Sequence, residues 1–177
     1  MGLIFYRHPT PDAAPGLCYG KLDIGLGPSA ADEIARACLN PPTVGGIVTS
    51  PAIRARALAE PLAKAAGAPL SADERLWEMD MGAWEGILWS DIDRRESDPW
   101  AEDALNRPTP GGEAFTDVIE RVRRVLESLE TTTCIVAHAG PIRAAEMILT
   151  GATFDEVFAR PVPYATPITF QKGFNHG

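Results

Sequence analysis

The chain has 177 residues, 45% hydrophobic and 23% charged, which suits one domain with a sizeable core. Its 24 acidic residues outnumber 16 lysines and arginines for a net charge of −8, and no basic tract or basic amphipathic face stands out. That balance argues against nucleic acid or an anionic membrane as the main partner, and any anion site must be a local cationic focus in a repelling field.

Cys18, Cys38 and Cys134 are too few and too scattered for a disulfide framework or a zinc cluster, so a reducing compartment is expected. The N-terminus shows no basic n-region followed by an apolar h-region, and no run of 18 apolar residues occurs. The expected protein is cytoplasmic.

Leu3-Ile4-Phe5-Tyr6 is a short, wholly apolar run, read as a strand over about 3–7 and followed at once by Arg7-His8. Such runs bounded by breakers mark strands buried on both faces, as in a parallel sheet. A Pro- and Gly-rich loop extends to about Pro28, and Ser29 caps a helix that Asn40-Pro41-Pro42 ends. A second strand at about 45–49 ends at Ser50-Pro51. The Ala-rich helix after it, about 52–66, carries Arg54 and Arg56 and places Ile53, Leu58, Leu62, Ala65 and Ala66 at helical spacing.

A strand over about 70–76 leads into the segment Trp77 to Gly86. Residues 87–112, with mixed charge and three prolines, are expected to form a small helical excursion over the sheet. Gly111-Gly112 precedes a helix over about 113–130, with Val118, Val122, Val125, Leu126 and Leu129 on one face. The next pair is a strand at 132–137 and a helix at 141–149, with His138-Ala139-Gly140 at the junction. A final strand runs from Thr166 to Gln171. The tail beyond Lys172 reads as frayed, and His176 within it as incidental.

Strands alternating with helices predict an α/β fold, a three-layer α/β/α sandwich with a mostly parallel central sheet, as one domain over 1–177. Ligands of open α/β sheets gather outside the carboxyl ends of the strands. Three such ends bring two histidines and at least two arginines together, which makes a phosphate site. Neutral imidazole is available near neutrality as a nucleophile, and the planar guanidinium fork suits phosphate oxygens.

Five segments occur in an order that resembles the histidine phosphatase superfamily, the phosphoglycerate mutase-like proteins. Arg7-His8 resembles the RHG signature, and Ser50 to Ala55 the Ser-x-x-x-Arg-Ala helix start. Leu76 to Gly86 is similar to L-x-E-x-x-x-G-x-W-E-G, Pro110 to Glu113 to P-G-G-E, and Val136 to Arg143 to V-x-H-x-G-x-I-R. The resemblance implies His8 as the nucleophile that becomes phosphohistidine. Arg7 and Arg54 would clamp the phosphoryl group, and His138 would donate to it. Glu78 would protonate the leaving oxygen and later activate water, with Asp80 and Glu85 as competitors. Gly20 and Ala139 match backbone positions beside the substrate. The spacing from Ser50 favours Arg54 over Arg56, and Arg143 would support the site through backbone or Glu contacts. No metal or organic cofactor is implied.

Pro9 stands where the signature has Gly, and Ala139 where Gly follows the second histidine. His8-Pro9 followed by Cys18-Tyr19-Gly20-Lys21-Leu22-Asp23 looks like the branch related to α-ribazole phosphatase, of the cobalamin pathway. The expected function is a phosphomonoesterase acting on a small phosphate ester, α-ribazole 5′-phosphate among the candidates. A cofactor-dependent phosphoglycerate mutase, a phosphohistidine protein phosphatase and a non-catalytic phospho-ligand module are the alternatives. A homodimer is left open, and Trp84 and Trp89 are read as packing residues.

Overall fold

The computed structural model describes residues 2–129 and 132–171; the tail beyond Lys172, with His176, lies outside the described residues. Five strands form one sheet: β1 (Gly2–Arg7), β2 (Gly46–Thr49), β3 (Leu70–Ala72), β4 (Thr133–Ala137) and β5 (Pro167–Gln171), in the order β3-β2-β4-β1-β5. All neighbouring pairs are parallel except β1 with β5. The expected α/β fold with a mostly parallel sheet is the one observed. Every residue of β4 is buried, as a central strand covered on both faces requires.

Alternate strand residues feed two cores. Leu3, Phe5, Ile135 and Ala137 point to one face, where α4 (Phe115–Glu127) and α5 (Ala139–Thr150) supply Val118, Val122, Ile142 and Ala145. Tyr6, Ile47, Cys134 and Val136 point to the other, against Ala55, Leu58 and Leu62 of α2 (Ile53–Ala66). Helix α1 (Ala30–Leu39) packs outside α2. The period-2 alternation of the strands and the apolar stripes of the helices therefore build three layers.

Several boundaries differ from expectation for identifiable reasons. The strand expected over 70–76 stops at Ala72, because the Asp73 carboxylate accepts from Arg75 N at 2.9 Å and caps a 3₁₀ turn over Glu74–Leu76. The excursion over 87–112 contains a 3₁₀ turn (Trp89–Asp91) and α3 (Arg94–Glu102), whose Asp93 carboxylate caps Arg95 N. Helix α5 starts at Ala139 rather than 141, since Pro141 is tolerated in a first turn whose N–H groups need no helical partner. The short helix α6 (Phe154–Phe158) was not foreseen, although Thr153-x-x-Glu156 forms a reciprocal capping box.

Candidate active site

Parallel register brings the carboxyl ends of β1, β4 and β2 to one edge. Arg7 pairs with Ala137, and Thr49 with Val136. One step further on, His8 N donates to Ala137 O and Ser50 N to Val136 O, each at 2.9 Å. His8 and His138 are both almost wholly buried, and their ring centroids lie 5.1 Å apart.

His8 Nδ1 is 2.7 Å from the carbonyl of Pro9. A carbonyl can only accept, so the neutral ring carries its proton on Nδ1 and its lone pair on Nε2. Burial pushes this imidazole down from 6.5 to about 3; the Pro9 carbonyl opposes the shift, and the charges of Arg54 and Arg7 add to it. His138 also lies well below its ordinary value, first through burial and then through His8 and Arg54. Its Nε2 is 2.8 Å from Ser50 Oγ, and its face stacks on Trp77 at 6.2 Å.

Arg54 is the largest fully buried side chain of the described residues. Its Nη2 donates to Gly20 O at 2.7 Å and its Nη1 to Leu22 O at 3.0 Å. Asp23 sits 3.4 Å from Nη1 and also accepts from Ile53 N, so one carboxylate caps α2 and steadies the arginine near that helix's start. Arg7 donates to Val162 O at 2.9 Å and Tyr164 Oη at 3.0 Å, with its guanidinium carbon 3.9 Å from the Tyr164 ring centre. Arg7 Nε, Arg54 Nε and His138 Nδ1 are buried without a partner among the described residues. Arg56 stands outside the cluster, exposed and paired with Glu60 at 2.7 Å.

The Glu78 carboxylate accepts from Met79 N at 2.9 Å and from Gly140 N at 3.1 and 3.2 Å. A Cβ at position 140 would meet this carboxylate and push it from its place, so glycine there lets Glu78 sit against the start of α5. The backbone carrying Glu78 is held by Arg121, whose Nη1 donates to Arg75 O and Trp77 O at 2.6 Å each and whose Nη2 donates to Glu78 O at 3.2 Å. Glu113 pairs with the same guanidinium at 3.0 Å and accepts from Asp80 N.

The two competitors of Glu78 are engaged elsewhere. Glu85 accepts from the backbone N–H groups of Gly20, Lys21, Leu22 and Met81 at 2.9–3.0 Å, tying the 20–22 loop to the segment after Glu78. Asp80 accepts from Gly82 N at 2.9 Å and faces Lys21 Nζ at 3.9 Å. Gly20 gives its carbonyl to Arg54 and its N–H to Glu85, and a Cβ there would overlap Met79 O. Ala139 is buried in the core on the α4–α5 side of the sheet.

Arg121, Tyr164 and Tyr19 were missed in the sequence. Arg121 looks like any helix-surface arginine, and its one available signal is Glu113, eight residues earlier. Tyr164 stacks on Arg7; burial leads, with the neighbouring Tyr164 adding, in pushing the Tyr19 hydroxyl up to about 12.

A cavity of about 410 Å³ adjoins the cluster, with Glu78, Gly140, Tyr19 and Arg143 in its wall. Arg143 donates to Val157 O at 3.2 Å and Arg160 O at 3.3 Å, and its guanidinium carbon lies 4.5 Å from the Phe158 ring centre. Trp84 is buried against Trp89 and Trp100, whereas Trp89 also lines this cavity. Among the described residues, no group of three His, Cys, Asp or Glu side chains could hold a metal ion. Among the same residues, no helix is long and apolar enough to cross a membrane.

The chain is 35% identical over 108 residues to a bifunctional protein of Mycobacterium tuberculosis, but spans only 29% of that relative's length. It is 31% identical over 153 residues to putative phosphoserine phosphatase 2 of Hydrogenobacter thermophilus, covering 81% of this chain and 75% of the relative. Among solved structures, a mycobacterial glucosyl-3-phosphoglycerate phosphatase superposes with a TM-score of 0.81 at 26% identity, over 95% of this chain and 88% of that one. Residues 3–171 match the histidine phosphatase superfamily (branch 1) as a whole, with the strand-end histidines and arginines inside the matched span, and the chain belongs to that family.

Proposed function

We propose that the chain is a phosphomonoesterase working through a phosphohistidine intermediate on a small phosphorylated metabolite. The observation that carries this reading is the set of three buried, unpartnered N–H groups, Arg7 Nε, Arg54 Nε and His138 Nδ1, clustered with the bare Nε2 of His8. Buried donors without partners are rare in folded proteins, and a phosphoryl group satisfies them. With the Ser50 hydroxyl as donor to His138 Nε2, 2.8 Å away, the proton of that ring stays on Nδ1, ready for a phosphoryl oxygen.

In the first step the Nε2 lone pair attacks phosphorus, the P–O bond to the alcohol breaks, and the Glu78 carboxylic acid gives its proton to the departing oxygen. The phosphorylated ring keeps its Nδ1 proton and becomes cationic, a charge the Pro9 carbonyl stabilises. In the second step Glu78 takes a proton from water, the water oxygen bonds to phosphorus, and the P–N bond breaks to return neutral His8 and phosphate. The guanidinium groups hold charge on the equatorial oxygens through both transfers.

α-Ribazole 5′-phosphate is the named substrate candidate, supported by the resemblance of the 18–23 loop, and would place the enzyme in cobalamin synthesis. The three unpaired cysteines support a cytoplasmic setting. The test is direct. His8→Ala should abolish phosphate release from 4-nitrophenyl phosphate while phosphate binding persists; turnover retained by that variant would refute the assignment.

A further inference from the structure

The cavity beside Glu78 is unlike a site for a small polar alcohol. Six aromatic side chains, Tyr19, Trp89, Trp100, Phe115, Phe154 and Phe158, contribute to its lining. They are organised rather than scattered. Trp89 and Trp100 stack at 5.7 Å and 28°, and Phe154 and Phe158 lie 4.3 Å apart at 30°. Phe115 meets both phenylalanines edge to face, at 5.4 and 5.2 Å.

Charge is scarce there. Of the described residues lining the cavity, only Glu78 and Arg143 are charged, and Arg143 turns Nε and Nη2 to backbone carbonyls. Trp89 and Phe158 leave 41% and 42% of their surface in water, an unfavourable state for large rings that a bound apolar group would relieve. The indole N–H of Trp100 is also buried without a partner.

From this we infer that the alcohol half of the substrate is a planar aromatic body that enters this cavity, with its phosphate held by the strand-end cluster. The inference rests on the reading of Glu78 as the acid at the leaving oxygen, because Glu78 forms part of the cavity wall and fixes which half of the ester lies there. A serine or glycerate leaving group would bring a carboxylate beside Glu78 into a largely apolar wall, with Arg143 as its one cationic partner among the described lining residues. An aromatic ring gains by burial and by offset or edge contacts with the rings already present. Substrate choice is then set by apolar area beyond the phosphate, and the discriminating residues are Trp89, Trp100, Phe154 and Phe158.

The experiment compares esters of primary alcohols: 2-(1-naphthyl)ethyl phosphate, ethyl phosphate and O-phosphoserine. Expected is a kcat/KM for the naphthyl ester about 100-fold above both others, as a few buried ring carbons supply. Trp89→Ala, at a partly exposed position, should cut the naphthyl-to-ethyl ratio by about tenfold. Titration calorimetry with the matching phosphonates, 3-(1-naphthyl)propylphosphonate and propylphosphonate, measures the same preference without turnover. Equal affinities and equal kcat/KM values, or a preference for O-phosphoserine, overturn the inference. A clear affinity preference for the naphthyl phosphonate with no turnover of any ester supports the cavity assignment while refuting the phosphatase reading.

Discussion

Because the Pro9 carbonyl holds the Nδ1 proton of His8, only Nε2 of that ring can act as a nucleophile. Pro9 thus does at least one thing a glycine in its place could also do, since the contact uses its carbonyl. Glu78 is the residue whose role is easiest to isolate by chemistry. Glu78→Gln keeps the size of the side chain but removes the acid. Turnover of an alkyl phosphate should fall by about 10²–10³-fold, and of 4-nitrophenyl phosphate, whose leaving group needs little help, by far less. Equal losses on both substrates, measured as kcat, would contradict an acid role. Local sequence does not separate Glu78 from Glu85. Both stand in one recognisable segment, and the contrast between one carboxylate beside Gly140 and another saturated by four backbone N–H groups exists only after folding.

At the scale of elements, the active edge depends on loops tied down by buried or half-buried side chains. Glu85 is the clearest case, as it gathers N–H groups from two segments. Glu85→Ala leaves those donors without their acceptor and should cost about 2–4 kcal/mol of unfolding free energy, read from urea denaturation. A change within 0.5 kcal/mol, about what an ordinary surface site gives, would show that the loop is held by other means. The strands that position the site were legible because Leu3 to Tyr6 and Cys134 to Ala137 are unbroken apolar runs ending in chemistry-bearing residues. Helix α6 was not, because five residues show no period, and β3 was overextended because its continuation is decided by the Asp73 cap. The antiparallel setting of β5 beside β1 is decided by how the chain returns to the sheet after α6, which local sequence does not encode. The role of Arg121 is not legible locally because the carbonyls it holds, those of Arg75, Trp77 and Glu78, lie more than forty residues away in sequence.

For the whole molecule, a site built from two buried neutral histidines, the buried Arg54 and the half-buried Arg7 makes stability depend on pH and on phosphate. His8 and His138 are depressed below 6.5 in the folded chain, His8 to about 3. Below pH 6.5 the unfolded chain binds protons that the folded chain refuses, so stability is present above that pH and is lost as pH falls towards 3. Each unit of depression is worth about 1.4 kcal/mol, so the urea midpoint should decline steadily over this window. Asp73, lowered chiefly by its hydrogen bonds from Arg75, and Glu33, where burial is outweighed by hydrogen bonds from Thr10, contribute stability that is lost in the same direction at the acid end. His8→Asn should flatten the upper part of the decline. A variant with an unchanged slope from pH 6.5 to 5 would show that His8 is not held neutral. Placing one buried and one half-buried arginine within a chain of net charge −8 also concentrates the attraction for a dianion at one edge of the sheet.

The most direct measurement traps the enzyme during turnover of a ³²P-labelled ester and locates the label by mass spectrometry after mild alkaline digestion. The mechanism predicts acid-labile phosphate on His8, bonded to Nε2. Label on Nδ1, on another residue, or absent from a protein that is turning over would contradict it.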